Sequence, residues 1–181
     1  GLSTFNYQDL KPTIGLLTHN QLNGALVDLA CLSFGFRVIP IPLNSTSEHA
    51  SYIINHSEIT HLFIGGKNAE KIWSAIRHSH DIVTVSINES QITNYSMNWD
   101  LFLSYSDLAQ EFDVRTYLSN VDMEANQTIM YTSGTTDNPK GIIFDQINIV
   151  SKRFARALAL PSLNSEDIFL AYLPLFHTFG R

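Results

Sequence analysis

Cysteine is almost absent from this chain of 181 residues, because Cys31 is its only one. No disulfide can therefore form within the chain. Cys31 lies in the apolar run Leu29–Leu32, which predicts a small buried side chain. Charged residues are scarce too, at 15%. With a formal net charge of -6 and no cluster of lysine or arginine, the chain lacks the basic footprint of a nucleic-acid-binding protein.

Long apolar runs and targeting segments are missing as well. No stretch reaches the roughly 18 apolar residues that a transmembrane helix needs. Residues 1–6 have neither the basic nor the apolar part of a signal peptide. We therefore expect a cytoplasmic protein without a transmembrane segment. Hydrophobic residues still make up 44% of the chain, which is ample for a folded core.

Short apolar strands alternate with amphipathic helices along the chain. This order predicts an α/β fold with a mainly parallel sheet flanked by helices. The predicted strands cover residues 13–17, 38–42, 61–64, 82–87, 127–132, 141–144 and 168–173. The predicted helices begin at Asn20, at the capping pattern Ser45–Glu48, at Asn68, near Leu108 and after Asp145.

Several local signals refine these elements. Asn20 is predicted to cap the first helix and Gly35 to end it. The face of this helix that joins the core is predicted from helical spacing to contain Leu22, Ala25, Leu26, Leu29 and Ala30. For the next two helices the same spacing predicts these inward positions: Ala50, Ile53 and Ile54, then Ala69, Ile72, Trp73 and Ile76. Pro40 and Pro42 predict that the second strand lies at an edge or leaves the sheet irregularly. The polar segment 88–104 predicts a surface excursion.

The chemistry is concentrated in residues 131–141, which read Tyr-Thr-Ser-Gly-Thr-Thr-Asp-Asn-Pro-Lys-Gly. Four serine and threonine hydroxyls, two glycines and one lysine suit a polyphosphate, because the backbone N–H groups of such a turn form an anion-binding concavity. The hydroxyls donate further hydrogen bonds, and Lys140 adds a mobile positive charge. A Walker A loop does not fit, because Pro139 and Gly141 stand where that motif has its second glycine and its metal-binding hydroxyl.

This segment resembles the phosphate loop of the adenylate-forming superfamily, which includes acyl-CoA synthetases, luciferases and the adenylation domains of peptide synthetases. Nine of the ten positions of that family's pattern Thr-Ser-Gly-Thr-Thr-Gly-x-Pro-Lys-Gly match when the variable position is counted. Residues 25–42 resemble the family's helix-turn-strand, and residues 173–181, Leu-Pro-Leu-Phe-His-Thr-Phe-Gly-Arg, resemble its next motif. The Leu-Pro-Leu-x-His context looks closest to long-chain fatty-acid–CoA ligases.

The resemblance implies a reaction in two steps. A carboxylate attacks the α-phosphate of ATP to give an acyl-adenylate and pyrophosphate, and a thiol, usually coenzyme A, then accepts the acyl group. Lys140 and His177 are the implied catalytic residues, with His177 lining the acyl site and orienting the carboxylate. The expected partners are therefore ATP with Mg²⁺, coenzyme A and a carboxylic acid, by resemblance a fatty acid. The residues implied to hold the β- and γ-phosphates are Thr132, Ser133, Gly134, Thr135, Thr136, Lys140 and Gly141, and no side chain is implied as a metal ligand.

Three departures from the family pattern shape further expectations. Asp137 replaces a glycine of the loop, and its negative charge predicts weakened or altered ATP binding. The helix expected after residues 5–10 is missing, either deleted in this lineage or omitted from the sequence. The later motifs that hold adenine and ribose, and the small domain with its lysine, do not appear. We therefore expect residues 1–181 to be part of a large N-terminal domain, to be inactive alone, and to self-associate through uncovered edges.

Other functions and sites stay open at this point. A non-catalytic nucleotide- or acyl-binding relative is suggested by Asp137, and a ligase for acyl-carrier protein or for amino acids is an alternative within the enzyme class. His78 and His80 lack further ligands nearby, which predicts a solvated helix end and not a metal site. The basic residues of the last helix predict a solvated face, with coenzyme A phosphates as the alternative contact; they are Lys152, Arg153 and Arg156.

Overall fold

The computed structural model describes residues 12–88, 95–108, 113–132, 138–168, 170, 172–174 and 177. In these residues seven strands form one sheet, in the order β5-β4-β3-β1-β2-β6-β7. The strands are β1 Ile14–Thr18, β2 Val38–Pro40, β3 His61–Gly65, β4 Val83–Ser86, β5 Met97–Asn98, β6 Asn126–Thr132 and β7 Lys140–Asp145. The helices are α1 Leu22–Phe34, α2 Ser47–His56, α3 Lys67–Ile76, α4 Trp99–Ser104, α5 Val114–Ser119 and α6 Gln146–Ala159. Only the β6–β7 pair is antiparallel among these strands, so the predicted α/β fold is confirmed.

Helices cover both faces of the sheet, and the central strands β1, β2 and β3 each contribute side chains to two cores. On one face, Leu17 of β1 belongs to a buried cluster with Ile53 of α2 and Trp73 of α3. On the other face, Ile14 of β1 belongs to a cluster with Cys31 of α1. Cys31 is fully buried, as its apolar surroundings predict.

The signals that begin and end the helices are mostly confirmed. The Thr46 hydroxyl accepts a hydrogen bond from the His49 backbone at 3.1 Å and caps α2. Gly35 ends α1 in the left-handed conformation, with φ of 68°. Asp145 caps α6 in a reciprocal capping box with Asn148. The inward positions predicted for α2 and α3 are all buried: Ala50, Ile53, Ile54, Ala69, Ile72, Trp73 and Ile76.

The prediction for α1 is wrong in two respects. Gln21, and not Asn20, occupies the N-cap position, and no side chain caps this helix. The face that packs on the sheet also differs from the predicted one. Its buried residues are Gly24, Val27, Asp28, Cys31 and Leu32, whereas Leu22, Leu26 and Leu29 are exposed. The helix is apolar on nearly every side, so spacing alone does not determine which face is buried.

The prediction of an edge position for β2 is also wrong, because this strand lies between β1 and β6. The Ile41 N–H donates to the Leu16 carbonyl of β1 at 2.8 Å, so the nitrogen of Pro40 faces β6. Pairing with β6 is accordingly confined to Val38 and Thr128. The sheet tolerates this proline because it stands where the ladder ends.

Two further segments differ from expectation, and a third lies largely outside the described residues. Residues 88–104 contain β5 and α4, and Trp99 and Phe102 pack against the second core cluster. The helix predicted near Leu108 falls largely on residues 109–112, which lie outside the described residues, and α5 follows it. The described residues of the predicted strand 168–173 are 168, 170, 172 and 173, and none of them is in a strand.

Candidate functional site

The predicted phosphate loop lies between β6 and β7, which form an antiparallel hairpin. Thr132 pairs with Lys140 at the end of this hairpin, and both residues are exposed. The Thr132 hydroxyl donates to the Lys140 carbonyl at 3.4 Å. The hairpin thus brings together the two ends of the loop. Four of the predicted loop residues lie outside the described residues: Ser133, Gly134, Thr135 and Thr136.

Gly141 has a steric role in the hairpin, since it pairs directly with Tyr131. A Cβ atom at Gly141 would lie 2.7 Å from Cγ2 of Ile129 and 3.3 Å from the Tyr131 ring. The bare backbone therefore leaves room for the aromatic ring beside it. This residue supports the loop through close packing, whatever contact its backbone makes with a phosphate.

Tyr131 anchors the end of β6 to the end of α2. Its ring is buried, at 8% exposure, and its hydroxyl lies 2.7 Å from Oγ of Ser57 and 2.7 Å from Nδ1 of His56. Burial raises the pKa of the Tyr131 hydroxyl, and the hydrogen bond to Ser57 opposes this shift. The hydroxyl is thus protonated at neutral pH and holds the strand immediately before the loop.

A cleft of about 410 Å³ opens beside the ends of β1 and β2 and the start of α3. In parallel α/β sheets, ligands bind outside the carboxyl ends of the strands, which is where this cleft lies. Amide side chains dominate its polar lining, which therefore has both donors and acceptors but no charged group among its residues. The lining residues are Thr18, His19, Asn20, Leu43, Asn44, Asn68, Tyr172 and Pro174.

The segment that carries His177 reaches the same edge of the sheet. Asn20 donates a hydrogen bond from Nδ2 to the Leu173 carbonyl at 2.8 Å. His177 is exposed, and its backbone N–H donates to the Pro174 carbonyl at 2.9 Å. Only β2 separates β1 from β6, so the ends of these two strands lie roughly 10 Å apart. The hairpin of β6 and β7, with the predicted phosphate loop between them, is termed the phosphate hairpin. This hairpin and the His177 segment are therefore neighbours at one edge.

Sequence reasoning missed the residues that support this edge. It interpreted Asn20 as a helix cap, although its place directly after β1 is a usable signal for a ligand-side position. For the contacts of Tyr131 with His56 and Ser57 no sequence signal exists, because 74 and 75 positions separate the partners.

Of the two histidines predicted to lie at a solvated helix end, His78 is exposed, whereas His80 is half-buried. Nε2 of His80 lies 2.9 Å from Oγ of Ser51, and its ring stacks on Trp73. Burial lowers the pKa of His80. Among the residues that the structure describes, no group of three His, Cys, Asp or Glu side chains could hold a metal ion. No helix in the described ranges is long and apolar enough to span a membrane.

Comparison with known proteins gives consistent matches over nearly the whole chain. A family model described as AMP-binding enzyme matches residues 7–181. Fatty acyl-CoA synthetase A of Dictyostelium discoideum is 30% identical over 176 residues, covering 93% of this chain and 26% of that protein. Long chain acyl-CoA synthetase 4 of Arabidopsis thaliana is 26% identical over 167 residues, covering 84% and 24%. The chain thus spans about a quarter of the length of these relatives.

Solved structures share the fold at lower sequence identity. A natural red emitting luciferase from Phrixothrix hirtus matches with a TM-score of 0.72 and 20% identity, over 96% of this chain and 34% of that chain. An o-succinylbenzoate CoA synthetase from Bacillus subtilis, solved with its acyl-adenylate intermediate, matches with a TM-score of 0.56 and 21% identity. That match covers 93% of this chain and 38% of the synthetase.

Proposed function

Because the chain belongs to the AMP-binding enzyme family, whose model matches residues 7–181, we propose that the protein containing it activates a fatty acid with ATP. A carboxylate oxygen of the acid bonds to the α-phosphorus, and the bond from that phosphorus to the β-phosphate oxygen breaks to release pyrophosphate. The sulfur of coenzyme A then bonds to the acyl carbon, its proton is lost, and AMP leaves. Residues 1–181 supply part of the large domain for this reaction.

The observation that carries the proposal is the hairpin at the carboxyl edge of the sheet. Thr132 and Lys140 face each other at its end, and the loop between them carries the hydroxyls and glycine suited to phosphate oxygens. An exposed lysine beside an exposed hydroxyl can stabilise the negative charge that develops on pyrophosphate as the bond breaks. The arrangement supports phosphate binding better than it supports a role in packing, since neither side chain is buried.

Each predicted site residue has a distinct part in this proposal. Lys140 neutralises the β- and γ-phosphates. Hydroxyls and backbone N–H groups donate hydrogen bonds to them from Thr132, Ser133, Gly134, Thr135 and Thr136. Gly141 keeps the hairpin closed against Tyr131. Mg²⁺ would enter with ATP and would add to the charge neutralisation that Lys140 supplies. His177 orients the carboxylate from the neighbouring segment.

Fatty-acid-dependent exchange of radiolabelled pyrophosphate into ATP tests the proposal in the full-length protein. We expect exchange with a long-chain fatty acid, and a loss of about tenfold to a hundredfold when Lys140→Met removes the charge. Lys71→Met is the matched control, because Lys71 is exposed on α3, away from the hairpin. It should leave the exchange rate at the wild-type value.

The pattern of substrates separates the alternatives. Exchange driven by an amino acid and not by a fatty acid would replace the proposed substrate class. Transfer of the acyl group to acyl-carrier protein and not to coenzyme A would replace the proposed acceptor. Nucleotide binding without any acid-dependent exchange would identify a non-catalytic relative and overturn the proposal.

A further inference from the structure

A hydrogen bond joins the His177 segment to the loop that follows β1. Nδ2 of Asn20 donates to the Leu173 carbonyl at 2.8 Å, and the two residues are 153 positions apart. Asn20 stands two positions after Thr18, the last residue of β1. The apolar residues of β1 are buried on both faces of the sheet, so this strand is a rigid base for the contact.

Two constraints connect the Leu173 carbonyl to His177. Pro174 restricts Leu173 to extended backbone geometry, and the proline ring fixes its own φ. The His177 N–H then closes a turn onto the Pro174 carbonyl at 2.9 Å. Two hydrogen bonds and the proline thus connect Asn20 to His177 through Leu173 and Pro174.

We propose that Asn20 is a positioning residue that places His177 beside the carboxylate of the acid substrate by holding the Leu173 carbonyl. This inference rests on the proposed function for the role of His177. The phosphate hairpin has a separate anchor, because Tyr131 ties it to α2 through Ser57 and His56. Loss of the Asn20 contact therefore changes the binding of the acid and leaves the binding of ATP unchanged.

Kinetics of Asn20 variants in the full-length protein test this separation. Asn20→Asp keeps the size of the side chain but removes its donor, and Asn20→Ala removes both. We expect the KM for the fatty acid to rise about threefold to tenfold in each variant, with the KM for ATP unchanged. Asn23→Ala is the matched control, since Asn23 donates in the same way to the Ile87 carbonyl at 2.9 Å, directly after β4.

Hydrogen exchange of residues 172–177 tests the contact without any activity. The His177 amide should exchange faster in Asn20→Ala and in Asn20→Asp than in the wild type, and Asn23→Ala should leave it unchanged. Unchanged exchange in both Asn20 variants, or an equal rise in both KM values, would overturn the inference. Faster exchange in a protein that shows no acid-dependent activity would confirm the contact and refute the proposed function instead.

Discussion

Tyr131 is the residue on which the geometry of the phosphate hairpin depends. Its ring packs beside Gly141 across the strand pair, and its hydroxyl contacts the end of α2. The two contacts act in different directions: one closes the hairpin and the other fixes it to the body of the domain. The residue that begins the loop, Thr132, is its direct neighbour, so any shift of Tyr131 is passed to the loop.

Removing the Tyr131 hydroxyl should therefore loosen the loop without dismantling the hairpin. We expect Tyr131→Phe to lower the free energy of unfolding by about 1–3 kcal/mol, because Ser57 is buried and loses a hydrogen-bond partner. The KM for ATP should rise, and the KM for the fatty acid should not. Urea denaturation and steady-state kinetics measure both effects, with Tyr105→Phe as the exposed control. Wild-type stability in Tyr131→Phe would contradict the anchoring role.

The charge of Asp137 is a separate feature of the same loop, and it lies outside the described residues. A carboxylate about 4 Å from a phosphate charge costs about 1 kcal/mol in water-like dielectric and about 4 kcal/mol at a partly buried site. Asp137→Gly should therefore tighten ATP binding, as calorimetric titration with Mg²⁺-ATP would show. Asp113→Gly, a change of equal charge at an exposed position, is the control. Equal affinity in the wild type and Asp137→Gly would indicate that this carboxylate faces solvent.

At the scale of elements, sequence reasoning succeeded where pattern and packing agree. The predicted inward faces of α2 and α3 are the buried ones, because polar residues on their outer faces leave one choice. In α1, apolar residues occur on nearly every side, and the close packing at Gly24 determines which side is buried. A Cβ atom there would lie 2.8 Å from Cγ2 of Thr18, so the helix approaches the sheet closely on this side. Such a contact depends on how the helix docks onto the sheet, and it leaves no periodic signal.

The close approach of α1 also reverses the usual effect of a helical glycine. In an open position Gly24→Ala would stabilise α1 by about 1 kcal/mol. Here we expect net destabilisation, because overpacking against Thr18 costs about 1–3 kcal/mol. In a Thr18→Ser background, which lacks the methyl group, the same change should be neutral or stabilising. Thermal unfolding of the four proteins gives the coupling, and additive effects would show that Thr18 is not the obstacle.

For the whole molecule, the candidate site divides into a part that sequence could predict and a part that it could not. The loop at residues 132–141 is contiguous, so its hydroxyls, glycine and lysine can be recognised as one unit. The cleft at the sheet edge is assembled from four separate segments, including Thr18, Asn44, Asn68 and Pro174. Which loops meet there depends on strand order, and β1 lies beside β2 and β3 only after folding. Because the predicted fold did not include the strand order, neither the cleft nor its side chains could be derived from it.

The surface formed by β7 and α6 exposes large apolar side chains. β7 is the last strand of the described sheet, with Ile142 49% and Ile143 54% exposed. An edge strand with apolar side chains on both faces is a template for pairing with another chain. The following helix, α6, carries a continuous apolar stripe at helical spacing, formed by Ile147, Val150, Phe154 and Leu158, all exposed. Together these residues expose a large apolar surface to water.

We therefore expect the 181-residue chain, expressed by itself, to self-associate through β7 and α6. Sedimentation velocity should show a rising mean mass at concentrations on the order of tens of micromolar, where exposed apolar surface drives association. The double variant Ile143→Lys, Phe154→Glu should remain monomeric, because it places charge on the edge and on the stripe without entering either core. Leu103→Glu adds a charge at a comparably exposed leucine of α4 and should associate like the wild type. A wild-type chain that is monomeric throughout this concentration range would show that β7 and α6 do not mediate self-association. Equal suppression by Leu103→Glu would show that a charge at any exposed apolar position reduces the association, and that this surface does not govern it.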